Sequence, residues 1–237
     1  MQNDAADRPV VVAIDGPSGS GKSTIARRVA AKLGLAYLDT GAMYRAATWW
    51  CEHRGVDLDD DDAVADAVRA MPLIMVTDPL FPQVVCDDQD ITETIRSAAI
   101  TAVVSAVATN LEVRGELKQR QRAEIDAERT GGRSDGRGIV AEGRDITTVV
   151  APDADVRILL TADEDARLAR RARERHGSVD AAHLAATRDE VLRRDRDDST
   201  VSAFLTAADG VTTVDSSRLE VEETLDLVLG VVEDARR

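Results

Sequence analysis

The chain has 237 residues, of which 43% are hydrophobic and 31% charged, and its formal net charge is −14. This length suits one or two domains with a sizeable core, and the acidity argues against the broad basic surface that nucleic-acid binding needs. Two cysteines, Cys51 and Cys86, are too few for a disulfide framework. No apolar run reaches the 18 residues of a membrane span, and "MQNDAADRP" lacks the apolar segment of a signal peptide. We therefore expect a cytoplasmic monomer without a nucleic-acid or membrane partner.

Short apolar, β-branched runs alternate with helical stretches along the chain. The predicted strands are 10–14, 35–39, 138–142, 156–161 and 210–215, and the first is followed by a glycine-rich loop and a helix over 23–33 that Gly34 ends. Capping-box patterns predict two later helix starts, at Thr161 with Glu164 and at Ser217 with Glu220. The alternation is typical of a doubly wound, parallel α/β sheet.

The carboxyl ends of parallel strands form the usual ligand-binding edge of such a sheet. Asp15, Asp39 and Glu142 each stand at the end of a predicted strand. We therefore expect these three carboxylates to face one shared site.

Residues 40–105 interrupt the alternation and are predicted to form an inserted subdomain. It contains a helix, "GAMYRAATWWCEHRG", an acidic run, "DLDDDDAVAD", and an antiparallel hairpin of "PLIMV" and "QVVC". The acidic run favours a solvated helix face because carboxylates stabilise helix N-termini. The rest divides into a flexible arm over 1–9 and a core domain over 10–39 and 106–237, with helices predicted at 97–109 and 112–129.

An arginine-dense run, "RLARRARERHG" over 167–177, has two interpretations. It is either a solvated helix face or a surface that lies over bound phosphates. We expect a short helical lid at about 165–180 that closes over the ligands.

The stretch "GPSGSGKS" over 16–23 fits the phosphate-loop pattern GxxxxGK[ST], and it lies between an apolar strand and a helix, as that pattern requires. Its glycines let backbone amides close around the phosphates, Lys22 adds a positive charge, and the Ser23 hydroxyl can coordinate Mg²⁺. We predict binding of a purine nucleoside triphosphate with Mg²⁺, Ser23 being the metal ligand. The residues predicted to hold it are Gly16, Pro17, Ser18, Gly19, Ser20, Gly21, Lys22, Ser23 and Thr24.

Three classes of phosphate-loop protein fit this loop: a kinase of small molecules or nucleotides, a GTPase switch, and a motor or transport ATPase. The guanine-reading Asn-Lys-x-Asp motif is excluded because neither Asn3 nor Asn110 precedes a lysine. The motor class is weakened because the strand 156–161 ends in Thr161 instead of an acidic residue.

A nucleotide kinase needs arginines that hold two polyanions together. The candidates are Arg45, Arg114, Arg144 and Arg194, each of which taken alone could be a surface charge.

Four motifs together resemble the bacterial cytidylate kinases, nucleoside monophosphate kinases that phosphorylate CMP. They are "IDGPSGSGKST", "LDTGAMYRA", "AEGRDITTVVAPDADVRILL" and "RRDRDDST", in that order and spacing. The resemblance covers nearly the whole chain from Val10 onward. It implies a P-loop NTPase-type parallel five-stranded sheet flanked by helices, an inserted CMP-binding subdomain with a small antiparallel sheet, and a helical lid. It further implies ATP with Mg²⁺ as phosphate donor, CMP and deoxy-CMP as acceptors, and a place in pyrimidine metabolism.

The resemblance also implies roles for individual residues. Lys22, Arg144 and Arg194 would be catalytic. The CMP phosphate would be contacted by Thr40, Arg45 and Arg144, beside Gly143. The cytosine would be surrounded by Ser105, Arg114 and Asp145, and the ribose hydroxyls would be bound by Arg194 and Asp198.

Cytosine chemistry agrees with this assignment. The exocyclic amine can donate to Asp145 while Arg114 and Ser105 donate to the ring acceptors. Uracil would place a carbonyl against the carboxylate and lose that hydrogen bond. Arg194 and Asp198 are four residues apart and share a helix face, so a plain salt bridge between them is an equal alternative.

The sequence departs from the family pattern at Val201, where a further phosphate-binding arginine is expected. Either Arg196 or an arginine between 167 and 175 is expected to supply that charge. Thr40, where serine is commoner, is a milder departure.

Two other functions stay open: a kinase of another small acceptor, such as shikimate or dephospho-coenzyme A, and an ATPase switch that binds a protein partner.

Overall fold

The computed structural model describes residues 8–236, so the predicted flexible arm lies outside the described residues except for its last two positions. The strands in this range are β1 (Val10–Asp15), β2 (Ala36–Asp39), β3 (Leu73–Val76), β4 (Gln83–Cys86), β5 (Gln89–Asp90), β6 (Gly138–Gly143), β7 (Val156–Thr161) and β8 (Thr212–Asp215). The α-helices are α1 (Lys22–Leu33), α2 (Thr40–His53), α3 (Asp61–Arg69), α4 (Ala98–Ala108), α5 (Leu111–Thr130), α6 (Glu164–His176), α7 (Ala181–Ser199) and α8 (Val221–Ala235). A 3₁₀ turn, Thr94–Arg96, and a π-helical turn, Ile146–Val150, complete the elements.

Five parallel strands form the central sheet in the order β2-β6-β1-β7-β8, which confirms the predicted fold class. The central strand β1 pairs with β6 on one side and β7 on the other. Its side chains alternate between two apolar cores. Val11 and Ala13 pack toward α2 and α5, whereas Val10, Val12 and Ile14 pack toward α1 and α8. Burial on both faces explains why this strand is an unbroken apolar run.

The predicted helix starts at two positions are wrong by two and three residues. Helix α6 is capped by Asp163, which accepts the amide of Ala166, and α8 has a capping box made by Glu220 and Glu223. Thr161 stays in β7 because it pairs with Asp215 of β8. Backbone pairing with a distant strand thus overrides a local capping pattern.

The predicted hairpin of the insert is confirmed, and it belongs to a separate antiparallel sheet of order β3-β4-β5. The short strand β5 is additional to the prediction. It follows a turn at Asp87 and Asp88, both of which have positive φ. Asparagine and aspartate tolerate this conformation better than most residues, which permits so tight a hairpin.

The acidic run begins helix α3, as predicted. The Asp60 side chain accepts the amide of Ala63 at 3.0 Å, and Asp61 and Asp62 occupy the first turn. Helix α4 continues through position 105, where the predicted insert ends, and the division into domains stays a prediction. Within residues 8–236, no helix combines the length and apolar character that crossing a bilayer requires.

Candidate active site

A cleft of about 1200 Å³ opens at the carboxyl edge of the central sheet. Its walls come from the phosphate loop, the start of α2, the loop after β6, helices α5 and α6, the end of α7 and the segment between β8 and α8. These segments are distant in sequence. The parallel sheet brings them together because its strands all end on this side.

The phosphate loop has the conformation that its glycines predict. Gly19 and Gly21 have φ values of 78° and 88°, and α1 begins directly after Gly21. A Cβ at Gly16 would lie 2.2 Å from the Leu160 carbonyl oxygen, so the loop can fold this closely against β7 only with glycine there. Of the predicted set, the residues that line the cleft are Ser18, Gly19, Ser20, Gly21, Lys22, Ser23 and Thr24, and Gly16 and Pro17 are not among them.

Glu142 lies beside the two reactive side chains of the loop. Its carboxylate accepts the Ser23 hydroxyl at 2.6 Å and lies 4.0 Å from the Lys22 ammonium. Burial, and then the negative charge of Asp39, raise the pKa of Glu142. Burial, and then the positive charge of Arg144, lower the pKa of Lys22. The protein alone thus stabilises neither charge well. A bound phosphate would favour the charged form of Lys22, and a bound cation would favour the charged form of Glu142.

The expectation that Asp15, Asp39 and Glu142 share one site is wrong for Asp15. Asp39 and Glu142 line the cleft, and Asp39 also caps α2 through the Ala42 amide. Asp15 is buried and accepts hydrogen bonds from the Ile146 amide and from the amide and hydroxyl of Thr147. The π-helical turn after β6 covers the end of the central strand, so Asp15 holds that turn in place.

Arg45 and Thr40 lie on the acceptor side of the cleft, where the resemblance puts the CMP phosphate. Arg45 donates to the Ile95 carbonyl and, at 2.8 Å, to the Thr101 hydroxyl. Burial, and then the positive charges of Arg194 and Arg171, lower its pKa. Burial is the larger cause, and the two neighbouring arginines add positive charge that a bound anion would balance.

Gly143 leaves room for the Thr40 side chain. The Thr40 hydroxyl donates to the Glu142 carbonyl at 2.8 Å, and a Cβ at position 143 would lie 2.5 Å from the Thr40 Oγ1 atom. A side chain at Gly143 would therefore displace Thr40 from the position in which it lines the cleft.

The predicted cytosine end contains a pair between Arg114 and Asp145. The Arg114 guanidinium donates to the Asp145 carboxylate and to the Ser202 hydroxyl, and it lies 5.7 Å from the centre of the Tyr44 ring. Burial raises the pKa of Asp145, and Arg114 opposes that shift. Ser105 does not line the cleft, whereas its helix neighbours Val104 and Ala108 do. Its role toward cytosine stays a prediction.

Arg194 and Asp198 both line the cleft. Asp198 accepts a hydrogen bond from the Nε atom of Arg144 at 2.9 Å, so an arginine that was predicted to be catalytic is among its partners. The sequence predicted either a ribose role for Arg194 and Asp198 or a salt bridge between them, and neither prediction included the ion pair of Asp198 with Arg144. Sequence spacing cannot reveal it because the two residues are 54 positions apart.

The charge that the sequence lacks at Val201 was predicted to come from Arg196 or from the arginine-dense run, and of these two only the run on α6 reaches the cleft. Arg170, Arg171, Arg173 and Arg175 line the cleft, whereas Arg196 is exposed and is not part of its lining. Arg170 also donates to the Ser20 carbonyl and to the Ser216 hydroxyl. This places the arginine-dense helix against the phosphate loop and favours its interpretation as a phosphate-facing surface.

Several residues of the site were not predicted from the sequence. Asp195 forms a buried ion pair with Arg167, the first residue of the arginine-dense run, behind the phosphate loop, and Tyr44 and Ser202 stand beside Arg114. Tyr44 and Asp195 lie within the motifs "DTGAMYR" and "RRDRDDS", so those motifs are the one signal that could have found them.

The family model described as "Cytidylate kinase" matches residues 12–234. A relative from Cutibacterium acnes named "Cytidylate kinase" is 49% identical over 226 residues, which cover 94% of this chain and 96% of the relative. Relatives of the same name from Nocardia farcinica and Streptomyces avermitilis are 48% and 44% identical and cover 95% and 100% of this chain, and 94% and 99% of their own lengths. With a family match over almost its whole length and relatives at this identity, the chain belongs to the cytidylate kinase family.

Proposed function

We propose that the protein transfers the γ-phosphoryl group of ATP to CMP, giving CDP and ADP. The observation that carries the proposal is the arrangement of the cleft. The same cleft is lined by the phosphate loop, by the Arg114–Asp145 pair, and by arginines of α2, α6, α7 and the loop after β6. Membership of the cytidylate kinase family supports the same acceptor.

The acceptor needs no general base. A phosphate monoester with a second pKa of about 6 is already largely dianionic at neutral pH. Catalysis then consists of aligning two phosphates and neutralising their charge. Lys22 would bind the donor phosphates, and Arg45 and Arg144 would orient the acceptor phosphate toward them.

The residues beside the loop fit a magnesium ion. The Ser23 hydroxyl and the Glu142 carboxylate, 2.6 Å apart, are the oxygen donors that Mg²⁺ prefers. In the part of the chain that the structure describes, no group of three or more histidine, cysteine or acidic side chains could hold a metal by itself. This agrees with an ion held partly by substrate phosphates. Ser23, with Glu142 next to it, would hold the ion, which would neutralise negative charge on the transferred group.

The buried Asp145 would select the base. Its carboxylate can accept the exocyclic amine of cytosine, while the Arg114 guanidinium donates to a ring acceptor. The Arg114 contact lowers the pKa of Asp145 and so opposes the effect of burial, which raises it. Uracil would face the carboxylate with a carbonyl, an unpaired contact between two acceptors.

The finer features that the sequence predicts belong to the same proposal. They are the use of deoxy-CMP, a role in pyrimidine metabolism, a cytoplasmic location, a monomeric state, and closure of α6 over the nucleotides. The residues proposed to contact the base and the phosphate support the use of deoxy-CMP, because CMP and deoxy-CMP share these two groups.

A coupled assay of ADP release across possible acceptors tests the proposed function. With ATP and Mg²⁺, we expect turnover with CMP to exceed turnover with UMP, AMP, GMP, shikimate and dephospho-coenzyme A. Preference for shikimate or dephospho-coenzyme A would contradict the proposal. ATP hydrolysis without any acceptor, stimulated by a protein, would instead indicate the switch class.

A further inference from the structure

Asp195 of α7 joins the two phosphate-binding parts of the site without lining the cleft itself. Its buried carboxylate accepts the backbone amide of Ser18 at 3.0 Å and the Nη2 atom of Arg144 at 3.2 Å. The second oxygen accepts the Nη1 atom of Arg167. One side chain therefore contacts the phosphate loop, the arginine of the acceptor site and the helix over the cleft.

Arg144 is held by acceptors on both sides. Its Nε atom donates to Asp198, its Nη1 atom to the Gly16 carbonyl, and its Nη2 atom to Asp195. The Phe204 ring lies 4.6 Å from the guanidinium carbon. A guanidinium has five N–H groups, so these three bonds leave two for a ligand in the cleft. The protein contacts fix the plane in which those two can donate.

Arg167 anchors the other side of the carboxylate. It also donates to the Ser18 carbonyl at 3.0 Å, so both polar backbone groups of Ser18 are bound within this cluster. An added Cβ at Gly19 would lie only 2.6 Å from the Arg167 carbonyl oxygen. The base of α6 therefore rests directly on the phosphate loop where Asp195 holds it.

We propose that Asp195 is a positioning residue for phosphoryl transfer, which fixes the phosphate loop and Arg144 relative to each other and so aligns the donor and acceptor phosphates. The inference rests on the proposed function and adds a residue to it. Asp195 would act through Ser18 and Arg144, because it does not face the ligands. Its loss should therefore reduce the rate of transfer more than the binding of either nucleotide.

The variant Asp195→Asn tests the inference because it retains the shape of the side chain and removes its charge. A misalignment of about 1 Å can cost on the order of 10²-fold in rate, so we expect kcat to fall by about that factor while KM for ATP and for CMP changes less than about threefold. A bisubstrate inhibitor that joins cytidine and adenosine through five phosphates should lose affinity by a similar factor, because it spans both sites.

Asp197→Asn is the matched control, since Asp197 is on the same helix two positions away and does not line the cleft. We expect wild-type kinetics for it. A kcat of Asp195→Asn within twofold of wild type, or a loss confined to KM, would overturn the inference. If the wild type turns over an acceptor other than CMP, the proposed function fails, and the same comparison made with that acceptor still decides the role of Asp195.

A second variant covers the case in which Asp195→Asn does not fold. Arg167→Lys keeps a positive charge beside Asp195 but removes the Nη1 atom that donates both to Asp195 and to the Ser18 carbonyl. We expect a fall in kcat of about tenfold with little change in either KM, as for the loss of one charged hydrogen bond. A folded Arg167→Lys variant with wild-type kcat would overturn the inference.

Discussion

Lys22 shows how burial prepares a single residue for a phosphate. Its ammonium lies 4.0 Å from the Glu142 carboxylate, yet burial and Arg144 lower its pKa from the ordinary value of 10.5. An amine with a lowered pKa is charged only below that lower value and loses its proton earlier as the pH rises. Bound phosphates would raise the pKa again because they favour the ammonium form.

The first prediction concerns the pH dependence of ATP use. As the pH rises from 7 to 9.5, we expect kcat/KM for ATP to fall before kcat does, because the first reports the nucleotide-free protein and the second the bound state. Steady-state kinetics at saturating CMP, with circular dichroism to confirm folding, measure this. Lys22→Ala should lower kcat by about 10²-fold or more at every pH. Flat profiles of both quantities to pH 9.5 would contradict the assignment.

Asp145 is the residue at which base selection is tested. Asp145→Asn removes the charge that we propose accepts the cytosine amine, and it leaves Arg114 without its carboxylate partner. We expect kcat/KM for CMP to fall by about 10²-fold, as for loss of a buried hydrogen bond to a charged group, and KM for ATP to stay within about threefold. The exposed Asp153, which pairs with Arg122, provides the control variant Asp153→Asn. Unchanged CMP turnover in Asp145→Asn would remove Asp145 from base recognition.

At the scale of elements, the start of β6 depends on a glycine. Gly138 has a φ of 111°, and a Cβ there would lie 2.0 Å from the Val10 carbonyl oxygen of β1. Gly138→Ala should therefore lower the free energy of unfolding by at least about 2 kcal/mol, through backbone strain and overlap. Gly230→Ala is the control: it lies within α8 with nothing near the added Cβ, and we expect it to raise stability by about 0.5–1 kcal/mol. Urea unfolding of both variants gives the comparison, and equal effects would contradict it.

Elements were predictable where their signal was local. The five sheet strands follow from apolar runs, and the start of α3 follows from Asp60 because a cap acts within three residues. The starts of α6 and α8 were misplaced by two and three residues. For α6 the reason is that Thr161 pairs with Asp215 and so stays in β7. Whether Ser105 of α4 faces the cleft was likewise not predictable, because the sequence does not show which side of the helix packs against which neighbouring element.

For the whole molecule, charge is unevenly distributed. The net charge is −14, but the cleft is lined by arginines from α2, α5, α6, α7 and the loop after β6. A positive cleft in an acidic protein attracts anionic substrates and keeps other anionic surfaces away. Salt screens such attraction over about 8 Å at physiological ionic strength.

This distribution predicts a salt dependence of substrate capture. Between low salt and about 0.5 M, kcat/KM for CMP should fall severalfold, because long-range attraction is screened, whereas kcat should change little because contacts to bound substrates are short. Initial rates in NaCl, repeated in potassium acetate to control for anion competition, measure it. A kcat/KM that is independent of salt would mean that the cleft charge acts only at contact distance.

Short motifs and periodic burial were enough to predict the phosphate loop, the parallel sheet, the antiparallel hairpin of the insert and the family. The tertiary structure decided which carboxylates serve the site. Glu142 reaches Ser23 across 119 positions and Asp195 reaches Ser18 across 177, whereas Asp15, next to the loop in sequence, turns away from it. Glu142 reaches the loop because β6 pairs with β1, whose end leads into the phosphate loop, whereas Asp195 reaches it because α7 packs against the loop.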